Sequence, residues 1–187
     1  MGKTRFATAF VRKSAFNCYF VFDHAGQFAW RNKVKPASGI ADLDAQFARR
    51  FVVFDPSVMF PGNTTGAFQF FCEWSYDRSS TLRGRKLLFL DEIQSYANRY
   101  KVEWELALVL ETGRHVGLDF IGATLAPNRI NDAVRGQATE LVTFKLSDET
   151  QIAPLLDHGF DRERVMALDK LQFISRTDNG DEREGKL

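Results

Sequence analysis

Cysteine is scarce in this chain: two residues in 187, Cys18 and Cys72, far apart and each in apolar surroundings. Without a partner Cys or His at metal-ligand spacing they read as buried free thiols of a reducing compartment, which excludes a disulfide scaffold and a zinc ribbon. His24, His115 and His158 form no ligand cluster along the sequence. No apolar run approaches the roughly 18 to 20 residues needed to cross a bilayer. The N-terminus also lacks the basic flank, apolar stretch and cleavage site of a secretory leader. A large excess of one charge is missing too. At a formal net charge of +1, any polyanion would have to be met by local patches rather than by the field of the whole molecule.

What is present is an ordinary globular balance, 44% apolar and 26% charged, with an unusual 18 phenylalanines. The length fits one domain with one core, here residues 1–175, followed by a charged, Gly-containing tail over 176–187 that is expected to fray. Three basic patches stand out: Arg31-Lys33-Lys35, Arg49-Arg50 and Arg78-Arg83-Arg85-Lys86. Each alone reads as a solvated face. The chain is expected to be soluble and cytoplasmic, without membrane insertion.

Apolar spacing predicts a helix from Arg5 to Phe16, then a strand over Cys18–Phe22 closed by Asp23. Residues 26–39 are polar and basic enough to form a loop or insertion. A short helix over Asp42–Arg50 leads into a strand at Phe51–Phe54, stopped by Asp55-Pro56. Thr64–Tyr76 reads as a Phe-rich helix capped by Thr64 or Thr65. A strand follows from Lys86 and carries the acids Asp91 and Glu92 at its end, and an apolar helix over Glu103–Glu111 ends at Gly113. Leu118–Thr124 is a strand, Asn128–Val134 a short helix and Glu140–Leu146 a strand. Glu149–Leu156 and Asp161–Leu168 are helices, and Leu171–Ser175 is the last strand. This alternation implies βαβ units: an α/β fold with a mainly parallel central sheet between two helical layers. Ligands of such sheets gather at the carboxyl ends of the strands.

Two short motifs carry chemistry. Lys86-Leu87-Leu88-Phe89-Leu90-Asp91-Glu92 ends a buried strand in adjacent acids, and Met1-Gly2-Lys3-Thr4 reads as the second half of a phosphate-binding loop with a helix directly after it. In such a loop Gly2 lets the backbone approach, Lys3 neutralises the β and γ phosphates and Thr4 ligates Mg2+ through its hydroxyl, with Arg5 counted beside them as a nucleotide contact. Asp91 would hold the Mg2+ shell opposite Thr4, and Glu92 would polarise the attacking water as general base. The first Gly of a full loop and its preceding strand do not stand before Gly2. A chain starting at this Met is expected to leave a gap in the middle of the sheet.

With Gly113-Arg114-His115-Val116-Gly117 and Ala123-Thr124-Leu125-Ala126-Pro127 added, the arrangement resembles the HerA/FtsK superfamily of P-loop ATPases from Gly2 to about Leu146. The likeness is to its compact viral genome-packaging members and to Zot-like phage assembly proteins. The resemblance implies a RecA-like P-loop NTPase sandwich that uses ATP and Mg2+ and works as a homo-oligomeric ring, a hexamer, on double- or single-stranded DNA at a viral capsid vertex. By position it makes Thr124 the polar sensor of the γ phosphate and Arg114 an arginine finger acting on a neighbouring subunit. Leu125 stands where these families usually carry Gln. A Zot-like assembly or export ATPase is the nearest alternative, and a nucleotide-binding protein with a structural role is another.

Overall fold

The computed structural model describes residues 2–187, with Thr4 followed through its backbone alone. Four strands, β1 (Cys18–Phe22), β2 (Phe51–Phe54), β3 (Lys86–Leu90) and β6 (Leu118–Gly122), form the expected parallel sheet in the order β2-β1-β3-β6. β3 is buried along its whole length. Its run of Leu and Phe has no polar alternation because both faces are covered.

Alternate side chains divide between two packed faces. Phe20, Phe22, Leu88 and Leu90 point toward Leu43 of α3 (Ile40–Ala48), Phe68 and Phe71 of α4 (Thr64–Thr81), and Leu106 and Val109 of α5 (Trp104–Thr112). Val21, Val53 and Phe89 point toward Ala7 of α1 (Lys3–Lys13) and Phe28 and Ala29 of α2 (Gln27–Asn32). The phenylalanines are the filling of this sandwich: the Phe22 ring lies within 6.1 Å, centroid to centroid, of Phe54, Phe68, Phe71 and Tyr96.

Between β3 and α5 lies a small antiparallel hairpin, β4 (Ala97–Asn98) and β5 (Lys101–Val102). Beyond β6, α6 (Asp132–Gly136) leads to a second, antiparallel sheet of β7 (Glu140–Phe144), β8 (Gln172–Thr177) and β9 (Glu182–Lys186). Its own core comes from α7 (Glu149–Leu156) and α8 (Arg162–Ala167), with Ile152, Leu155, Phe160, Val165 and Ile174.

Several expectations are corrected here. The strands at 140–144 and 172–177 leave the parallel sheet and pair with each other. Among the described residues β6 pairs with β3 alone. α1 packs on both sheets, with Ala7 in the core of the parallel sheet and the Phe6 ring against Phe144 and Phe173 at 6.2 and 5.1 Å. The tail contributes the strand β9 to the second sheet. Glu182 and Glu184 of β9 are held by Arg164, and Glu182 also by Arg176 at 2.8 Å.

The insertion at 26–39 contains α2, because the Asp23 carboxylate accepts the N–H groups of Phe28 and Ala29 at 3.0 and 2.7 Å and so caps that helix from the end of β1. α4 is capped by Asn63, whose Oδ1 accepts from Gly66 N at 2.9 Å, not by Thr64 or Thr65. α4 also runs on to Thr81, where the hydroxyls of Ser79, Ser80 and Thr81 bond back to carbonyls of the preceding turn. The helix expected over 128–134 is split into a 3-10 turn, Pro127–Arg129, and α6.

Candidate functional site

The carboxyl ends of the parallel strands form one edge of the sandwich. β1 runs into Asp23 and His24, β3 into Asp91 and Glu92, and β6 into Ala123 and Thr124. Phe22 is in register with Leu90 and Leu90 with Gly122, which brings these residues out side by side. Two backbone bonds close the junction just past the acids: Ala123 N–H to the Leu90 carbonyl and Ile93 N–H to the Ala123 carbonyl, both 2.9 Å.

Glu92 has a left-handed backbone, φ 54° and ψ 43°. That conformation costs a residue with a Cβ roughly 1–2 kcal/mol, and strain of this kind collects where a side chain must be aimed. The turn is held by Asp91 Oδ1, which accepts the Glu92 N–H at 3.0 Å. It directs the Glu92 carboxylate across β1, where Oε2 lies 3.6 Å from His24 Nε2. The His24 ring packs against Phe22 and Tyr96, and its Nδ1 is buried without a hydrogen-bond partner among the described residues.

The N-terminus of α1 comes to the same edge. Lys3 is half-buried; burial pushes its ammonium below the ordinary lysine value, while the Asp91 carboxylate pulls it back up. Gly2 is the N-cap and offers no side-chain cap, so the first-turn N–H groups of α1 are left for another acceptor. A Cβ at Gly2 would overlap the Phe144 ring, so that ring holds the backbone in place. Arg5 is exposed; the side chain of Thr4, expected to ligate Mg2+, lies outside the described residues.

Asp23 contributes structure to this edge. Burial raises its carboxyl pKa, the Ala29 and Phe28 N–H groups lower it, and nearby Asp91 and Asp55 raise it further. Thr124 Oγ1 accepts the Ala126 N–H at 2.9 Å, which fixes the hydroxyl and leaves its proton to be offered outward. Leu125, immediately after it, is 56% exposed.

Arg114 is elsewhere. It is exposed on the 3-10 turn Gly113–Val116, at the amino end of β6. The length of a five-residue strand, about 17 Å, separates it from the acids. Lys3, Asp91, Glu92 and Thr124 are thus brought together within one chain, and Arg114 is not. Sequence reasoning missed His24. The available signal was its position just past a strand that neighbours the acidic one.

The patch Arg78-Arg83-Arg85-Lys86 is mostly structural. Arg78 pairs with Asp44 at 2.7 Å, Arg85 pairs with Asp119 at 2.9 Å, and Lys86 is buried. Among the described residues no helix is long and apolar enough to cross a membrane.

A parallel sheet between helices, with a lysine-bearing helix N-terminus facing a strand that ends in two acids, is the P-loop NTPase fold. No family model matches the chain, and neither does any curated protein. Among solved structures it is similar to the genome packaging NTPase B204 from Sulfolobus turreted icosahedral virus 2 in complex with ATP-gammaS. The TM-score is 0.74 at 19% identity, covering 97% of this chain and 86% of that one. B204 from Sulfolobus turreted icosahedral virus, a DNA-packaging ATPase, gives 0.74 at 17% identity over 98% and 88%. The bacterial conjugative coupling protein TrwB gives 0.51 at 16% identity over 73% of this chain and 39% of that one. At these identities the likeness is one of fold.

Proposed function

We propose that this chain is an ATP-hydrolysing DNA translocase of the viral genome-packaging type. The observation that carries the reading is the meeting of Lys3, Asp91, Glu92 and Thr124 at one strand edge. The fold neighbours B204, solved with ATP-gammaS, AMPPCP and AMP, support it.

In this reading the uncapped N–H groups of α1 donate to phosphate oxygens and Lys3 neutralises the β and γ phosphates. The donors suit Mg2+: a carboxylate at Asp91 and a hydroxyl at Thr4 leave room for phosphate oxygens and water, which this ion prefers to an all-protein cage. Bound there, the ion would offset charge on the phosphates. Glu92 takes the proton of the attacking water, a step worth about 10²–10⁴ in rate. Thr124 offers its hydroxyl proton to the γ phosphate or to that water. Arg114 lies too far away to act on its own chain's nucleotide. It serves as the finger for the next subunit of a hexameric ring, with DNA in the channel and the ring at the capsid vertex. The protein works in the host cytoplasm or on the virion.

The test is ATP turnover with and without duplex DNA, for the parent protein and for Glu92→Gln. The parent should turn over ATP and respond to DNA, while Glu92→Gln should bind ATP yet hydrolyse it at least about 100-fold more slowly. Equal rates for the two proteins would refute the assignment of the base. A parent that binds ATP without turnover would point to the structural role instead.

A further inference from the structure

The chain does not pass straight from Glu92 to α5. It makes the hairpin β4–β5, whose two-residue tip is Arg99-Tyr100. Tyr100 is 90% exposed, and Arg99 and Lys101 beside it are exposed too.

The tip is nonetheless firmly built. Asn98 Oδ1 accepts the N–H groups of Tyr100 and Lys101 at 3.0 and 3.1 Å. Asn131 donates its N–H to the Ala97 carbonyl and its side-chain amide to the Arg99 carbonyl, both at 3.2 Å. A bridge between Asn98 and Ile130 sets Arg129, also exposed, beside the hairpin. Below the tip Ala97 is fully buried, and the Tyr96 ring stacks on Phe68 at 3.9 Å.

From this geometry we infer that the β4–β5 tip is the surface that grips DNA: Arg99 and Arg129 take backbone phosphates and Tyr100 packs against a base or sugar. The inference rests on reading the chain as a DNA translocase. Three features favour a polynucleotide. Arg99 and Arg129 enter no ion pair among the described residues, whereas Lys101 is held by Glu103 at 2.9 Å, so two guanidinium groups remain for phosphate. An exposed aromatic on a braced backbone between cations is the stacking platform that nucleic acids use. A two-residue tip is far too small for the roughly 800 Å² per partner of a stable protein interface, yet large enough for one or two nucleotides.

The hairpin is also well placed for work coupled to hydrolysis. One brace follows Glu92 by way of the 3-10 turn Ile93–Ser95, and the other, Ile130-Asn131, follows Thr124. The two strand ends proposed for hydrolysis therefore lead into the two supports of the tip.

The test is fluorescence anisotropy of the full chain with ATP-gammaS, using a fluorescein-labelled 30-mer as single strand and as duplex, across a salt series. Arg99→Ala and Arg129→Ala should each lower the slope of log affinity against log salt by about 1 on either DNA. Tyr100→Ala should weaken single-strand binding about tenfold and Tyr100→Phe should restore it, while a smaller effect on duplex would mean packing against sugar. The control Arg31→Ala/Lys33→Ala should keep the parent slope. If the parent binds DNA and the hairpin variants keep its affinity and slope, the hairpin assignment falls and the translocase reading stands. If the parent binds neither DNA, both fall.

Discussion

Replacing Lys86 by Met tests how the sandwich is locked at the end opposite the site. Lys86 is 1% exposed, and its ammonium donates to the carbonyls of Leu82 and Gly84 at 2.8 and 2.9 Å and to that of Val116. One side chain thereby ties the loop before β3 to the turn before β6. Met keeps the aliphatic stem and leaves these three carbonyls without their donor. An orphaned buried acceptor costs about 1–3 kcal/mol, so three set a ceiling of about 9. Two effects reduce that. A cavity of about 340 Å³ lined by Ser79, Leu82, Gly84, His115 and Gly117 adjoins the amine and can admit water to the freed carbonyls. Removing a buried cation also recovers its desolvation penalty, which burial shows by pushing the Lys86 pKa down. A net loss of about 2–4 kcal/mol is expected, which lowers Tm by roughly 5–15 °C for a chain of this size. Urea unfolding followed by circular dichroism gives the free energy, and an unchanged m-value shows that the folded state is the same. A loss below about 0.5 kcal/mol would refute the argument, because an amine in water leaves nothing orphaned when removed.

Two further outcomes are expected. His24→Gln should lower kcat for ATP several-fold at nearly constant KM, since His24 touches Glu92 and has no contact with the proposed phosphate cradle; steady-state kinetics separate the two, and an unchanged kcat would remove His24 from the site. Cys18 and Cys72 should resist thiol reagents in the folded protein, because burial pushes the Cys18 pKa up to about 11 and that of Cys72 well above its usual value. The sign follows from proton binding: the unfolded thiols ionise first, so the contribution of Cys18 to stability is intact below about pH 9 and is lost as pH rises through about 11. Stoichiometric labelling at pH 8 without denaturant would contradict this.

The parallel sheet was legible because β1, β2 and β3 are almost continuous apolar runs and each stops at an acid: Asp23, Asp55 and Asp91. Its carboxyl edge was legible for the same reason. The partners of later strands were not, since a strand's own pattern does not say what it pairs with; the antiparallel choice of β7, β8 and β9 shows in ion pairs such as Arg176–Glu182 that only the fold brings close. α2 was hidden because its cap, Asp23, belongs to the strand before it. His24 escaped notice because its contact with Glu92 crosses from one strand to the next. Arg114 was assigned by likeness to a family, although its place just before the predicted strand already set it at the amino end of β6, away from the acids.

The stack of Tyr96 on Phe68 has a mechanical meaning. The rings are nearly parallel, with 1° between their planes, and Phe68 belongs to α4, the 18-residue helix that crosses the back of the sheet. A push on the hairpin tip is therefore taken up by the longest rigid strut in the molecule rather than by a flexible loop. A tool mounted in this way can bear load, and softening the mount by Phe68→Ala would be felt at a tip whose own residues are untouched.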